Sequence, residues 1–164
     1  MSPLRGAIDL KSPLARRTKR YTMGLVYAEI TLKNALDVGN AGNGIIKEQD
    51  VRQTVVNALV DTGAWTLVIN EAVRQKLGLK ILGTDSGTLA NGAKSIYNVA
   101  GPLEVRWKDR RTVCDALVLP NAGDVLLGAI PLEALDLAIS PREEELVGRH
   151  GDQVVHSIQT PFRG

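Results

Sequence analysis

From Leu25 to Leu32 apolar and polar side chains partly alternate and β-branched residues recur, a period of two that predicts a strand opening a sheet. Asn34 to Asn43 then gathers Asn, Gly and Asp and reads as a loop, and Ile45 to Val51 fits a helical turn or a strand. Arg52 to Val60 and Trp65 to Ile69 are the next two strand-like runs, separated by a tight polar turn. One helix stands out. Asn70 can cap its start, Glu71 lies in its first turn, Val73 and Leu77 share a face, Lys76 is near its end and Gly78 follows it.

Beyond the helix, Thr84 to Gly87 reads as a turn, and Thr88 to Val99 as a hairpin around Asn91-Gly92, a pair suited to tight hairpin turns. Pro102 to Trp107 and Thr112 to Leu119 bracket Lys108-Asp109-Arg110-Arg111, which predicts a second hairpin with a solvated, charged turn. Val125-Leu126-Leu127-Gly128 precedes a short helical segment, Pro131 to Leu135, with proline placed at its first position. Leu137 to Val147 is a candidate terminal strand. The pattern is mainly β, with one or two short helices.

A chain of 164 residues with 44% hydrophobic content suits one core. Its net charge of +2 conceals a basic head: Met1 to Thr22 carries Arg5, Lys11, Arg16, Arg17, Lys19 and Arg20 against Asp9 alone. The expected division is a disordered basic arm over residues 1–22, a folded domain over 23–147 and a polar tail over 148–164. The arm could touch nucleic acid, yet no aromatic residue interleaves with its cations before Tyr21, so a solvated arm is the expectation. Its scattered Leu4, Ile8, Leu10 and Leu14 form no signal-peptide core, and no apolar run reaches the length of a membrane span. Cys114 is the one cysteine, which excludes an internal disulfide and points to a reduced, cytoplasmic setting. His150 and His156 lie in the polar tail far from Cys114, so no metal or other cofactor is expected. Trp65 and Trp107 are expected to pack in the core or on a sheet face.

The chemistry concentrates in Leu59-Val60-Asp61-Thr62-Gly63-Ala64. An aliphatic strand running into Asp-Thr-Gly holds a carboxylate on a rigid support; Thr62 offers a hydroxyl, and Gly63 allows a turn where a side chain would block close approach. Asp85-Ser86-Gly87 fits the same tripeptide pattern, but sits in a polar, Gly-rich stretch and too close to Asp61 to belong to a second lobe with its own core. Asp61 is therefore the candidate catalytic residue.

Three features occur in one order: Asp61-Thr62-Gly63 after an aliphatic strand, a Gly-tipped hairpin, and Leu126-Leu127-Gly128 before a short helix. Together, over roughly Gly24 to Ile139, they resemble the retropepsins, the retroviral type of aspartic protease. The resemblance implies a closed β-barrel or sandwich of the acid-protease fold, with a single-lobe subunit that forms a homodimer. It implies that Asp61 of each chain activates water, that Thr62, Gly63, Ala64, Leu127 and Gly128 support it, and that Ala90, Asn91, Gly92 and Ala93 form a flap over a polypeptide substrate. No cofactor is implied. The segment from Asn34 to Asp50, the helix at Glu71 to Leu77 and the tail after Val147 make the chain larger than the compact viral enzymes. The alternative is a dimeric peptide-binding or assembly domain with weak or no turnover.

Overall fold

The alternation at Leu25 becomes strand β1, Tyr27–Asn34, in the computed structural model, which describes residues 25–88 and 91–151. The basic arm, Ala90 and His156 lie outside the described residues. β1 turns Ala28, Ile30 and Leu32 into the core and leaves Tyr27 and Glu29 exposed, as a period of two requires. It pairs antiparallel with β2, Gln53–Val60, in a register that sets Tyr27 against Leu59 and Lys33 against Gln53.

The other strands are β3 (Leu67–Asn70), β4 (Lys80–Thr88), β5 (Lys94–Trp107), β6 (Arg110–Leu119), β7 (Leu126–Leu127), β8 (Leu137–Ser140) and β9 (Glu145–Gly148). The main sheet runs β1-β2-β7-β3-β6-β5-β4, and β1 also pairs with β5 from Thr31–Arg106 to Asn34–Leu103. That extra pairing closes every strand of the sheet except β4 into a barrel, which removes open edges. Ile30, Leu32, Leu67, Ile69, Leu103, Val105 and Leu127 are fully buried inside it. This is the retropepsin-like, mainly β architecture. No helix among the described residues is long and apolar enough to cross a membrane.

Helix α2, Glu71–Leu77, has the expected caps: the Asn70 side chain accepts from Val73 N, and Gly78 adopts φ 61°, the left-handed conformation that favours glycine. Arg74 first, then Gln75, hydrogen bonds to the Glu71 carboxylate and holds it down to about 2. Helix α3 spans Ala129–Ala134 with Gly128 at its cap, so Pro131 is the third helical residue and not the first.

Two segments differ from their local reading. Asn34 to Asn43 is not a loop but contains helix α1, Ala35–Gly42, followed by a 3₁₀ turn at Glu48–Asp50. Asn34 caps it by accepting from Leu36 N and Asp37 N, and donates through its amide to the Leu77 carbonyl. Asp37 receives Arg52 Nε at 2.7 Å and Nη2 at 2.9 Å, so the polar residues that suggested a loop are capping and pairing groups. Thr84 to Gly87 is likewise not a turn: it lies in β4, paired against β5 with Asp85 opposite Tyr97 and Gly87 opposite Ser95. Both faces of β4 are largely solvated, so it has no apolar alternation to announce it.

The charged run after Trp107 is only partly solvated. The turn is Lys108-Asp109, whereas Arg110 is buried and donates to the carbonyls of Leu135, Asp136 and Gly151. Arg111 donates to Glu104, a fully buried carboxylate that also receives Arg106. The Leu137 to Val147 region forms most of the β8–β9 hairpin; Arg110 pins it to the barrel, and the His150 ring Nδ1, 2.8 Å from an Asp136 carboxylate oxygen, ties its two ends together.

The Asp37–Arg52 pair gives a pH-dependent contribution to stability. Hydrogen bonding from Arg52 lowers the Asp37 pKa against the opposing effect of burial. A carboxyl whose folded pKa is depressed stabilises fully above its unfolded pKa, and that contribution is lost as pH falls through the folded value. Because Arg52 is half exposed, Asp37→Ala is expected to cost only about 1 kcal/mol near neutrality. Urea unfolding should show the gap between wild type and variant shrinking below about pH 4.

Candidate active site

Strand β2 ends at Val60, and its next residue, Asp61, begins a loop held on both sides by β7, which consists of 2 residues. β7 runs parallel to β2, with Leu59 against Leu126 and Val60 against Leu127, and antiparallel to β3 at Val68. Leu59 N donates to the Val125 carbonyl at 2.8 Å and Asp61 N to the Leu127 carbonyl at 3.1 Å. The arriving and departing strands of the loop are therefore tied to one short, buried rod.

Within the loop, Gly63 N donates to Asp61 Oδ1 at 2.9 Å and Ala64 N to the Asp61 carbonyl at 3.2 Å. The first bond fixes the carboxylate's rotamer. Helix α3 completes the support without a side-chain cap. Its Ala129 N–H donates to the Ala64 carbonyl at 2.8 Å and Ile130 N–H to the Trp65 carbonyl at 3.0 Å, so orphan donors of the helix start are satisfied by the loop. Gly128 permits this approach, because a Cβ there would drive into the backbone oxygens of Thr66 and Ala64.

Asp61 is half-buried at a cavity of about 440 Å³. Gly63, Ala64, Trp65 and Thr66 line it from the loop, Val68 and Leu126 from β3 and β7, Leu117 and Leu119 from β6, and Gly87, Thr88 and Tyr97 from the β4–β5 hairpin. Thr62 is exposed at the loop tip and borders a different recess with Leu132, Leu137 and Ala138. Leu127 is fully buried beneath the loop. Asp61, Gly63 and Ala64 are thus gathered at one cavity, with Leu127 and Gly128 behind them.

The hairpin meets that cavity close to its tip, through Gly87, Thr88 and Tyr97. Asn91, Gly92 and Ala93 are exposed beyond it, with Gly92 at φ 83° and the Asn91 side chain accepting from Ala93 N at 2.9 Å. Asp85 is exposed on β4 and its carboxylate accepts from its neighbour Ser86 N, so Asp85-Ser86-Gly87 contributes Gly87 to the cavity and no acid.

Trp65 is 51% exposed at the cavity wall, whereas Trp107 is buried as expected of a core residue. Tyr97 was not legible as a site residue, because its place beside Asp61 depends on the long-range pairing of β4 with β5. Cys114 is half-buried, and burial, then the Asp115 charge, pushes its thiol up to about 12, which leaves it unreactive near neutrality. Among the described residues, no group of three or more His, Cys, Asp or Glu is placed to hold a metal ion.

Comparison with known proteins agrees with this geometry. The retroviral protease-like domain of Ddi1 from Leishmania major superposes with a TM-score of 0.50 at 16% identity, over 79% of this chain and 90% of that one. The protease of simian foamy virus (mac) gives 0.42 at 17% identity over 65% and 91%. The EIAV protease complexed with the inhibitor HBY-793 gives 0.40 at 26% identity over 50% and 78%. No curated protein matches the sequence. A family model described as aspartyl protease matches residues 47–129, from the 3₁₀ turn to the first residue of α3 and so across both arms of the Asp61 loop, and the chain belongs to that family, on a retropepsin-like fold.

Proposed function

We propose that the chain is an aspartic endopeptidase that hydrolyses peptide bonds in extended polypeptides as a symmetric homodimer. One observation carries this reading: Asp61 sits on a doubly anchored loop at an apolar cavity, while Asp85-Ser86-Gly87 has its acid on an exposed strand outside the cavity lining. Hydrolysis through an activated water takes two carboxylates sharing one proton, one acting as general base and the other as general acid. Two like charges at hydrogen-bonding distance titrate as a pair, so the proton belongs to the dyad and not to either residue. A second copy meeting the first at Asp61 supplies the missing acid, and a two-fold axis makes the contact self-complementary.

The exposed tip supports that assembly. Thr62 and Gly63 lie at the surface, where a partner's Thr62 hydroxyl can both donate and accept. In this reading the domain spans residues 23–147, residues 1–22 and 148–164 flank it, and the Ala90, Asn91, Gly92 and Ala93 tip closes over bound peptide through accessible backbone groups. The chemistry draws on no cofactor.

Asp61→Asn keeps the shape of the side chain and removes the shared proton chemistry. It should lower kcat/KM on a denatured protein substrate by about 10²–10⁴-fold, with the dimer retained in sedimentation. A wild-type dimer that binds peptides and cleaves none from acid to neutral pH would instead support a peptide-binding or assembly domain. Thr62→Ala should weaken dimerisation, so that specific activity falls on dilution and returns at high protein concentration.

A further inference from the structure

Among the described residues, the cavity beside Asp61 holds one carboxylate and is otherwise walled by aliphatic side chains, small residues and two aromatic rings. The rings come from different elements. Trp65 follows the Asp61 loop with its backbone locked, its carbonyl accepting from Ile130 N at 3.0 Å, yet its side chain is 51% exposed. The chain has 2 tryptophans and buries the other, so the half-exposed Trp65 indole holds apolar area that folding leaves in water and that a bound side chain would bury.

Tyr97 reaches the same cavity from β5 because of a glycine. Gly87 lies on β4 diagonal to it, and a Cβ at Gly87 would stand 2.9 Å from a carbon of the Tyr97 ring. Any larger residue would push the ring out of its place across β4. The Asp85-Ser86-Gly87 segment thus seats an aromatic wall of the cavity through its glycine.

Resting on the protease reading above, we propose that Trp65 and Tyr97 are specificity-determining residues that select a planar aromatic side chain beside the scissile bond of the peptide. Rigid aromatic anchors lose little rotamer freedom on binding, and ring-on-ring contacts add to the area they bury. With Val68, Leu117 and Leu126 as apolar backing, Asp61 as the one charge and no cation in the lining, the cavity favours an apolar side chain over a peptide carboxylate. At about 440 Å³ it also accommodates the backbone on either side of the ring.

The test separates a flat ring from an apolar side chain of similar bulk. Two internally quenched peptides, identical except for phenylalanine or cyclohexylalanine at one side of the cleaved bond, are compared by kcat/KM. Wild type should prefer phenylalanine by about tenfold. Trp65→Leu, which alters an exposed side chain, should reduce that ratio to about twofold or less while still cleaving the cyclohexylalanine peptide; Gly87→Ala should do so by displacing Tyr97. Equal cleavage of the two peptides by wild type, or an unchanged ratio in Trp65→Leu, overturns the inference and leaves the protease reading standing. Should wild type cleave neither peptide, tryptophan emission decides. Titrating Asp61→Asn with the phenylalanine peptide should shift emission more than the cyclohexylalanine peptide does, and the shift should vanish in Asp61→Asn/Trp65→Leu. A shift of that kind retains the aromatic site on a domain without turnover, and its absence removes the site.

Discussion

The two-residue strand β7 holds this structure together at the point where chemistry is possible. It lies between β2 and β3, which arrive at and leave the Asp61 loop, and it bonds to both. A loop carrying a half-exposed carboxylate would ordinarily be among the least stable parts of a domain. Here Leu127 is fully buried below it, Asp61 N is bonded to the Leu127 carbonyl, and the first turn of α3 donates to the loop's outgoing carbonyls. The same few residues thus complete the barrel, start a helix and fix the acid. Gly128 is where these demands meet, because backbone from two directions occupies the space a side chain would need.

Barrel closure explains why so much polar chemistry lies outside the core without being solvent-exposed. β5 runs for 14 residues, pairing β4, β6 and β1 along its length. Its outer face carries Glu104, buried at 0% exposure and bonded by Arg106 and Arg111. Arg110 reaches the other way, to the carbonyls that begin β8 and follow β9. A two-stranded hairpin is marginal alone. This one is stitched to the barrel by a buried guanidinium, so the C-terminal structure depends on a turn whose charges, read locally, belong to solvent.

These cases show which parts of the molecule could be read from the chain. β1, β2 and α2 were legible because each has one buried face, and burial writes a period into the sequence, while β3, buried on both faces, shows as a short aliphatic run; Asn70 and Gly78 even mark the helix ends. β4 has no buried face to write one, and α1 is short and rich in Asn and Gly, held by its cap Asn34 and by Asp37, whose partners are as remote as Leu77 and Arg52. Asp61 stood out because an aliphatic strand runs into a contiguous Asp-Thr-Gly, whereas the place of Leu127-Gly128 beside it came from the resemblance to the retropepsins; backbone hydrogen bonds and the space at Gly128 account for that placement. The aromatic wall did not stand out. Tyr97 owes its position to a strand register, and Trp65 departs from the rule that large apolar residues are buried.

Those two aromatic residues sharpen the distinction between holding an acid and using it. Everything behind Asp61 is rigid and internally satisfied: the loop carbonyls are bonded, the carboxylate accepts from Gly63, and the glycine cradle is filled by backbone. Everything in front of it is unfinished. Thr62 is exposed, Trp65 is half in solvent, and the hairpin tip stands clear of the cavity it adjoins. Rigid support with an incomplete face is the arrangement expected when the remaining contacts come from outside the chain. In the proposed dimer a second subunit would satisfy Thr62 and supply the other carboxylate, whereas the cavity lined by Trp65 and Tyr97 is formed by one chain. In the proposed enzyme the division of labour runs along the Asp61 loop, with the tip left for the second subunit and the residues after it for a peptide.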